Sequence, residues 1–227
     1  MTFEDYKRQF EIFLKIDSPD KLAICEKQYQ EYLKQKEDSD YFELFEETIS
    51  NNNRLSNYIK NLYSIFEFNI IKKDQILFLI QPSFEAEHLL IIEKLQDEYT
   101  LTHVELEESY WSKYYHDNSI STVKSRISKG YMKKTVGDQI FALIGQSMIT
   151  AKKPQSKRVV LDGKMYKLSK VVDGIRKDVF KHSPDEGSKT GRIINLLETM
   201  IKLTAVNPTL DSDKEIESLI TLILNCQ

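Results

Sequence analysis

Apolar residues recur every three or four positions at the start of the chain. Phe3, Tyr6, Phe10, Phe13 and Leu14 line one side of a helix, and Thr2 with Asp5 three residues on forms a capping pair for its first turn. Ser18 followed by Pro19 opens a second helix, because a proline ring fits the first turn, where no amide donor is needed. Leu22, Ile24, Cys25, Tyr29, Tyr32 and Leu33 supply its buried side. The same spacing predicts a third helix over 41–49, closed by Asn51, Asn52 and Asn53, and a fourth over 55–66.

Near residue 69 the period shortens. Residues 75–81 have a continuous apolar centre of strand length, which predicts burial on both faces. Residues 88–95 and 99–107 follow across short turns, and the second of these alternates, as a strand with one drier face does. Helix is expected again over 119–148, carried by Val123, Ile127, Met132, Val136, Ile140, Leu143, Ile144 and Met148, with Gly130 and Gly137 weakening its middle. A polar connection over 152–158 leads to short strands at 159–161 and 164–168. Asp162-Gly163 between them signals a type I′ hairpin, and Asp173-Gly174 repeats the signal before 175–182. Helices over 188–206 and 212–224 close the chain.

The order predicts an α+β fold: an N-terminal helical layer, a central antiparallel sheet of about five or six strands interrupted by a helix, and C-terminal helices. Residues 1–66 form the helical region and 67–227 the α+β unit, with the two able to merge into one body.

Composition narrows the classes. The 227 residues are 41% apolar and 30% charged, enough to build a core and incompatible with wholesale disorder. No apolar run approaches the roughly 20 residues of a membrane span, and the first residues carry no secretory signal. Two cysteines, Cys25 and Cys226, cannot staple a chain of this size, so a reducing cytoplasmic setting is expected. The net charge of −3 conceals a separation: residues 1–112 sum to −11 and residues 113–192 to +11. Such a split points either to an anionic partner for the basic stretch or to neutralisation of that stretch by the acidic helices.

Catalytic chemistry is not legible. His88, His103, His116 and His182 lack zinc-ligand spacing, no nucleophile elbow occurs, and no metal or cofactor is implied. Glu105 and Glu107 share a strand face, an arrangement that suits paired acid–base work or a divalent metal, as in a hydrolase or nuclease, and more simply a solvated outer surface. The run 187–191, Gly-Ser-Lys-Thr-Gly, lacks the P-loop order and leaves only a helix start with amides able to meet an anion.

The stretch Ser121-Thr122-Val123-Lys124-Ser125-Arg126-Ile127 resembles the recognition helix of the C-terminal DNA-binding region of sigma factors. That resemblance implies a helix-turn-helix in which Thr122, Lys124, Ser125 and Arg126 meet phosphates and base edges. It covers about 10 residues, and the segment ahead of it, 110–118, is shorter and more polar than that motif's first helix. A nucleic-acid-binding function would draw on Thr122, Lys124, Ser125, Arg126, Lys133, Lys134, Lys152, Lys153, Lys157 and Arg158. The leading expectation is a non-catalytic interaction protein of the immunity, adaptor or inhibitor kind. It recognises another macromolecule, most simply a protein, through charged surfaces, with Tyr110, Trp111, Tyr114 and Tyr115 as candidate contacts.

Overall fold

The structure, a computed structural model, describes residues 1–13, 16, 18–45, 53–68, 70–117, 123–154, 163–206 and 213–224. Its helices are α1 (Phe3–Phe13), α2 (Pro19–Asp38), α3 (Asn53–Ile65), α4 (Tyr110–Asp117), α5 (Lys134–Ile149), α6 (Lys189–Val206) and α7 (Asp213–Leu224). Its strands are β1 (Glu43–Leu44), β2 (Gln75–Pro82), β3 (His88–Lys94), β4 (Glu98–Leu106), β5 (Ser125–Lys133), β6 (Lys164–Val172) and β7 (Ile175–His182). The strands form one antiparallel sheet in the order β1-β7-β6-β2-β3-β4-β5. The fold is therefore α+β, with helices at both ends of the chain. No helix among the described residues is long and apolar enough to cross a membrane.

The sheet is covered on both sides, which explains why every residue of central β2 is buried. On one face Ile76, Phe78, Leu90, Ile92, Tyr99 and Leu101 meet Ile140, Ile144, Leu196, Leu197, Ile216 and Ile220 of α5, α6 and α7. On the other, Leu77, Leu79, Leu89, Val104 and Leu106 meet Tyr58, Ile59 and Leu62 of α3 and Tyr110 and Tyr114 of α4. Each fully buried aliphatic chain contributes about 1.5–3 kcal/mol, so β2 anchors both cores at once. β1 joins this sheet and α3 packs on its second face.

Local signals are realised where side chain and backbone meet directly. Thr2 and Asp5 exchange hydrogen bonds, with Asp5 N–H donating to Thr2 Oγ1 (3.2 Å) and Thr2 N–H to Asp5 Oδ2 (3.2 Å). Ser18 Oγ accepts from Lys21 N–H (3.4 Å) at the start of α2. Asp173 and Gly174, at φ 51° and 77°, both adopt the positive φ that a type I′ hairpin demands, and they join β6 to β7.

Two segments differ from the sequence reading. The helix expected over 41–49 is replaced, in its described part, by β1. Phe45 N–H bonds to Asp178 O (3.2 Å), Lys152 N–H bonds to Phe42 O (3.1 Å), and Phe42 enters the main core. Among the described residues, the helix expected over 119–148 begins at Lys134; residues 125–133 are strand β5, in register with β4 from Leu106↔Ser125 to Glu98↔Lys133. Pairing over nine residues prevails over a spacing of apolar residues that both periods accommodate. The helix-turn-helix that a sigma-factor resemblance implies is thus not formed by 125–133. The strand expected at 159–161 and the Asp162 turn residue lie outside the described residues.

Candidate functional site

The sheet ends at β5, which no described strand pairs along its outer edge. Toward α5 to α7, Gly130 and Met132 are buried. The opposite row, Ser125, Ile127, Lys129, Tyr131 and Lys133, is exposed throughout, with Ile127 at 62% and Tyr131 at 48%. Lys124 precedes the strand, Arg126 lies within it, and Lys134 starts α5, all three exposed. Arg126 Nε reaches Glu107 (3.4 Å), while no ion pair engages Lys124, Lys129 or Lys134 among the described residues. The neighbouring row of β4 supplies Thr100 opposite Tyr131 and Thr102 opposite Lys129. An apolar, cationic and aromatic strip thus adjoins a row of unpaired backbone groups.

Of the predicted nucleic-acid contacts, Lys124, Ser125, Arg126, Lys133 and Lys134 gather here. Lys152 and Lys153 do not. Lys152 bridges to Glu43 of β1, at the far edge of the sheet. Six inter-strand spacings separate that edge from β5, about 29 Å. Lys152 Nζ donates to Glu37 (3.0 Å) and lies 3.8 Å from the Tyr41 ring centroid, so the acidic helix α2 already meets it. Thr122, Lys157, Arg158 and the Tyr115 side chain lie outside the described residues. Among the described residues, five ion pairs join acids of 1–112 to bases of 113–192: Glu37–Lys152, Glu43–Lys181, Glu85–Lys164, Glu107–Arg126 and Glu108–Lys113. Part of the charge separation of the sequence is thus met within the molecule, while on and beside β5 Lys124, Lys129 and Lys134 enter no ion pair among the described residues.

Of the aromatics expected at a partner surface, Tyr110 and Tyr114 turn inward and Trp111 is half-buried. Tyr110 and Tyr114 are buried beside Tyr58, and Trp111 sets its indole edge-on to the Tyr58 ring (4.8 Å). The cluster is organised by Glu87, wholly buried, whose carboxylate accepts from Tyr58 O–H (2.7 Å), Tyr110 N–H (2.8 Å) and Trp111 N–H (2.7 Å). It caps the first turn of α4, where helix amides lack internal partners. Burial pushes the Glu87 carboxyl above the usual range, against the pull of these three donors.

At 187–191 the amides are likewise engaged. Lys189 N–H donates to Asp40 Oδ1 (3.0 Å), Gly191 N–H to Ser188 Oγ (3.0 Å) and Gly187 N–H to Asp185 Oδ1 (2.9 Å). The start of α6 is occupied by the protein's own oxygens, which corrects the expectation of an open anion site.

One group of titratable side chains was not legible as a group. His88 of β3 and His103 of β4 stack at 5.4 Å, with His88 Nδ1 3.1 Å from His103 Nε2 and His103 Nδ1 3.4 Å from Ser128 Oγ. Burial lowers both imidazoles, His103 to about 4, so the pair is neutral at pH 7. His88 also lines a cavity of about 220 Å³ with Glu85, Lys164, Glu198 and Lys202. Lys164 and Glu198 continue into an adjoining cavity of about 400 Å³. Tyr166 O–H donates to Glu198 Oε1 (3.1 Å). The signal available in sequence was slight: His88 and His103 fall on strands, but only the β3–β4 register places them on one face. Among the described residues no group of three or more His, Cys, Asp or Glu is arranged to hold a metal ion.

Comparison of the chain with protein-family models, with curated proteins and with solved structures finds no match.

Proposed function

We propose that the chain is an interaction protein whose working surface is β5, where it takes up an extended acidic segment of a partner protein. The observation that carries this reading is a nine-residue edge strand with open backbone groups, exposed Ile127 and Tyr131, and unpaired Lys124, Lys129 and Lys134 beside them. Lysines alone would guard an edge against unwanted pairing; a guard does not call for a large aliphatic and an aromatic side chain in water. Strand addition draws affinity from main-chain hydrogen bonds and specificity from alternate side chains. Here the alternate residues ask for acids opposite lysine and apolar groups opposite Ile127 and Tyr131. A second copy of this chain does not fit, because antiparallel pairing of two β5 strands about their midpoint sets Lys129 against Lys129.

The second reading is single-stranded nucleic acid, favoured by Tyr131 standing between Lys129 and Lys133, since bases stack on aromatics between cations. Fluorescence anisotropy with a labelled peptide that carries Glu and Val in turn along one face (repeating Glu-Thr-Val-Thr), and with a labelled oligothymidylate, separates the two. Strand addition requires that the peptide bind, that amides of 125–133 gain hydrogen-exchange protection, and that K124E/K129E weaken it at least about tenfold. Peptide binding that is indifferent to K124E/K129E, or protection elsewhere, refutes it. Binding of the oligonucleotide alone, falling steeply with salt, transfers the surface to the second reading.

A further inference from the structure

His88, His103 and Ser128 stand on three neighbouring strands, β3, β4 and β5, in step with Leu90, Leu101 and Met132 on the face that meets α5 to α7. Ser128 is opposite His103 in the register, with its Oγ 3.4 Å from His103 Nδ1. His103 is only 4% exposed. His88 Nδ1 lies 3.1 Å from His103 Nε2, so one of these nitrogens donates and the other accepts. A proton on both would set N–H against N–H across that distance. The charged groups around His88 are Glu85 ahead of β3, Glu105 on β4, Lys164 on β6, and Glu198 and Lys202 on α6, with Arg126 of β5 opposite Glu105. His103 feels no charge but that of His88, and burial first and then this neighbour hold it at about 4. The strand beside it is the least secured of the sheet. β5 is bonded to no described strand but β4, and of its nine residues only Gly130 and Met132 are buried. Segments with few buried contacts open at the lowest free energy.

From this geometry we infer that the His88–His103 pair is an acid-sensitive latch on β5: neutral, it keeps the edge strand in register for its partner, and protonated, it loosens the strand and lets the partner go. The inference rests on the β5 reading and adds its regulation. With β5 lifted from β4, His103 meets water and returns to the ordinary imidazole value near ~6.5. Acid then favours the opened strand, as it favours any state that binds the proton more tightly. The closed strand therefore has its full stability above the ordinary value and loses it as pH falls toward 4. With His103 at about 4 closed and ~6.5 open, the ratio of opened to closed strand rises roughly 20-fold between pH 7 and pH 5.

Amide hydrogen exchange of the full chain with no peptide present, read as protection relative to the intrinsic rate at each pH, tests the latch apart from the binding. Between pH 7 and pH 5 the protection of 125–133 falls roughly 20-fold, while that of the central strand, 75–82, holds. In His103→Gln, whose side chain does not titrate, 125–133 keeps its protection. Should that variant not fold, the parent alone decides, by the contrast between 125–133 and 75–82. The second arm is affinity for the Glu-Thr-Val-Thr peptide, which falls further over the same range in the parent than in His103→Gln; the comparison cancels titration of the peptide's own glutamates. Unchanged protection of 125–133, a parallel loss across the whole sheet, the same loss in a folded His103→Gln, or an equal fall in peptide affinity overturns the inference. A chain that loosens β5 in acid yet binds no peptide at pH 7 keeps the latch and refutes the β5 reading instead.

Discussion

Replacing Glu87 by alanine removes the acceptor of three buried donors at once, Tyr58 O–H and the amides of Tyr110 and Trp111. Each donor left without a partner costs about 1–3 kcal/mol. The carboxylate's own desolvation, no longer incurred, offsets part of that sum. The net expectation is a loss of about 3–5 kcal/mol, three unpaired neutral donors less the relieved desolvation. Glu87→Gln preserves the shape and one acceptor oxygen but turns an amide N–H₂ toward a donor, for a smaller loss of about 1–2 kcal/mol.

Urea denaturation read by the fluorescence of Trp111, the single tryptophan, reports on this very turn of α4. The pH dependence adds a second arm. Because burial raises the Glu87 carboxyl in the folded state, the native form holds its proton more tightly than the unfolded chain. Its contribution to stability is complete below the ordinary glutamate value near ~4.3 and is lost as pH rises through the folded value. In Glu87→Gln that part of the pH dependence disappears, so the variant gains on the parent as pH rises through the window. A Glu87→Ala protein within about 1 kcal/mol of the parent would show that the three hydrogen bonds are not the anchor of α4.

Two further outcomes follow from the core. A methyl group at Gly137 of α5 would stand 2.1 Å from the Tyr99 ring, so Gly137→Ala, which in an open helix stabilises by about 1 kcal/mol, here destabilises by about 1–3 kcal/mol. A raised melting temperature for that variant would refute the close approach. His103, lowered to about 4 by burial and by His88, keeps the native state unprotonated. Its contribution is therefore present above the unfolded value near 6.5 and lost as pH falls toward 4, amounting to a few kcal/mol. Denaturation midpoints at successive pH values should fall across that window in the parent and fall less in His103→Gln; parallel curves would remove His103 as the cause.

Much of this molecule was written in local pattern. The continuous apolar run of β2 announced burial on both faces, Asp173-Gly174 announced its hairpin, and Thr2, Asp5 and Ser18 announced their caps, because in each case the interacting groups lie within a few residues. The alternation of β4 and the spacing along α6 and α7 were equally direct. Where partners come from far along the chain, local pattern could not decide. β1 is a strand because β7 and Lys152 bind its backbone, and β5 is a strand because β4 offers nine residues of register.

The same holds for charge and chemistry. A basic segment of +11 is a fact of the sequence. Its division between two sheet edges, with Lys152 and Lys181 covered by Glu37 and Glu43 and with Lys124 and Lys129 left open, arises only when the strands are ordered in space. Tyr110 read as a surface aromatic until Glu87, 23 residues earlier, drew its amide into the second core. Periodicity is a property of neighbours in sequence, and it specifies elements. Electrostatic and hydrogen-bonding partners are neighbours in space, and only the assembled sheet chooses them.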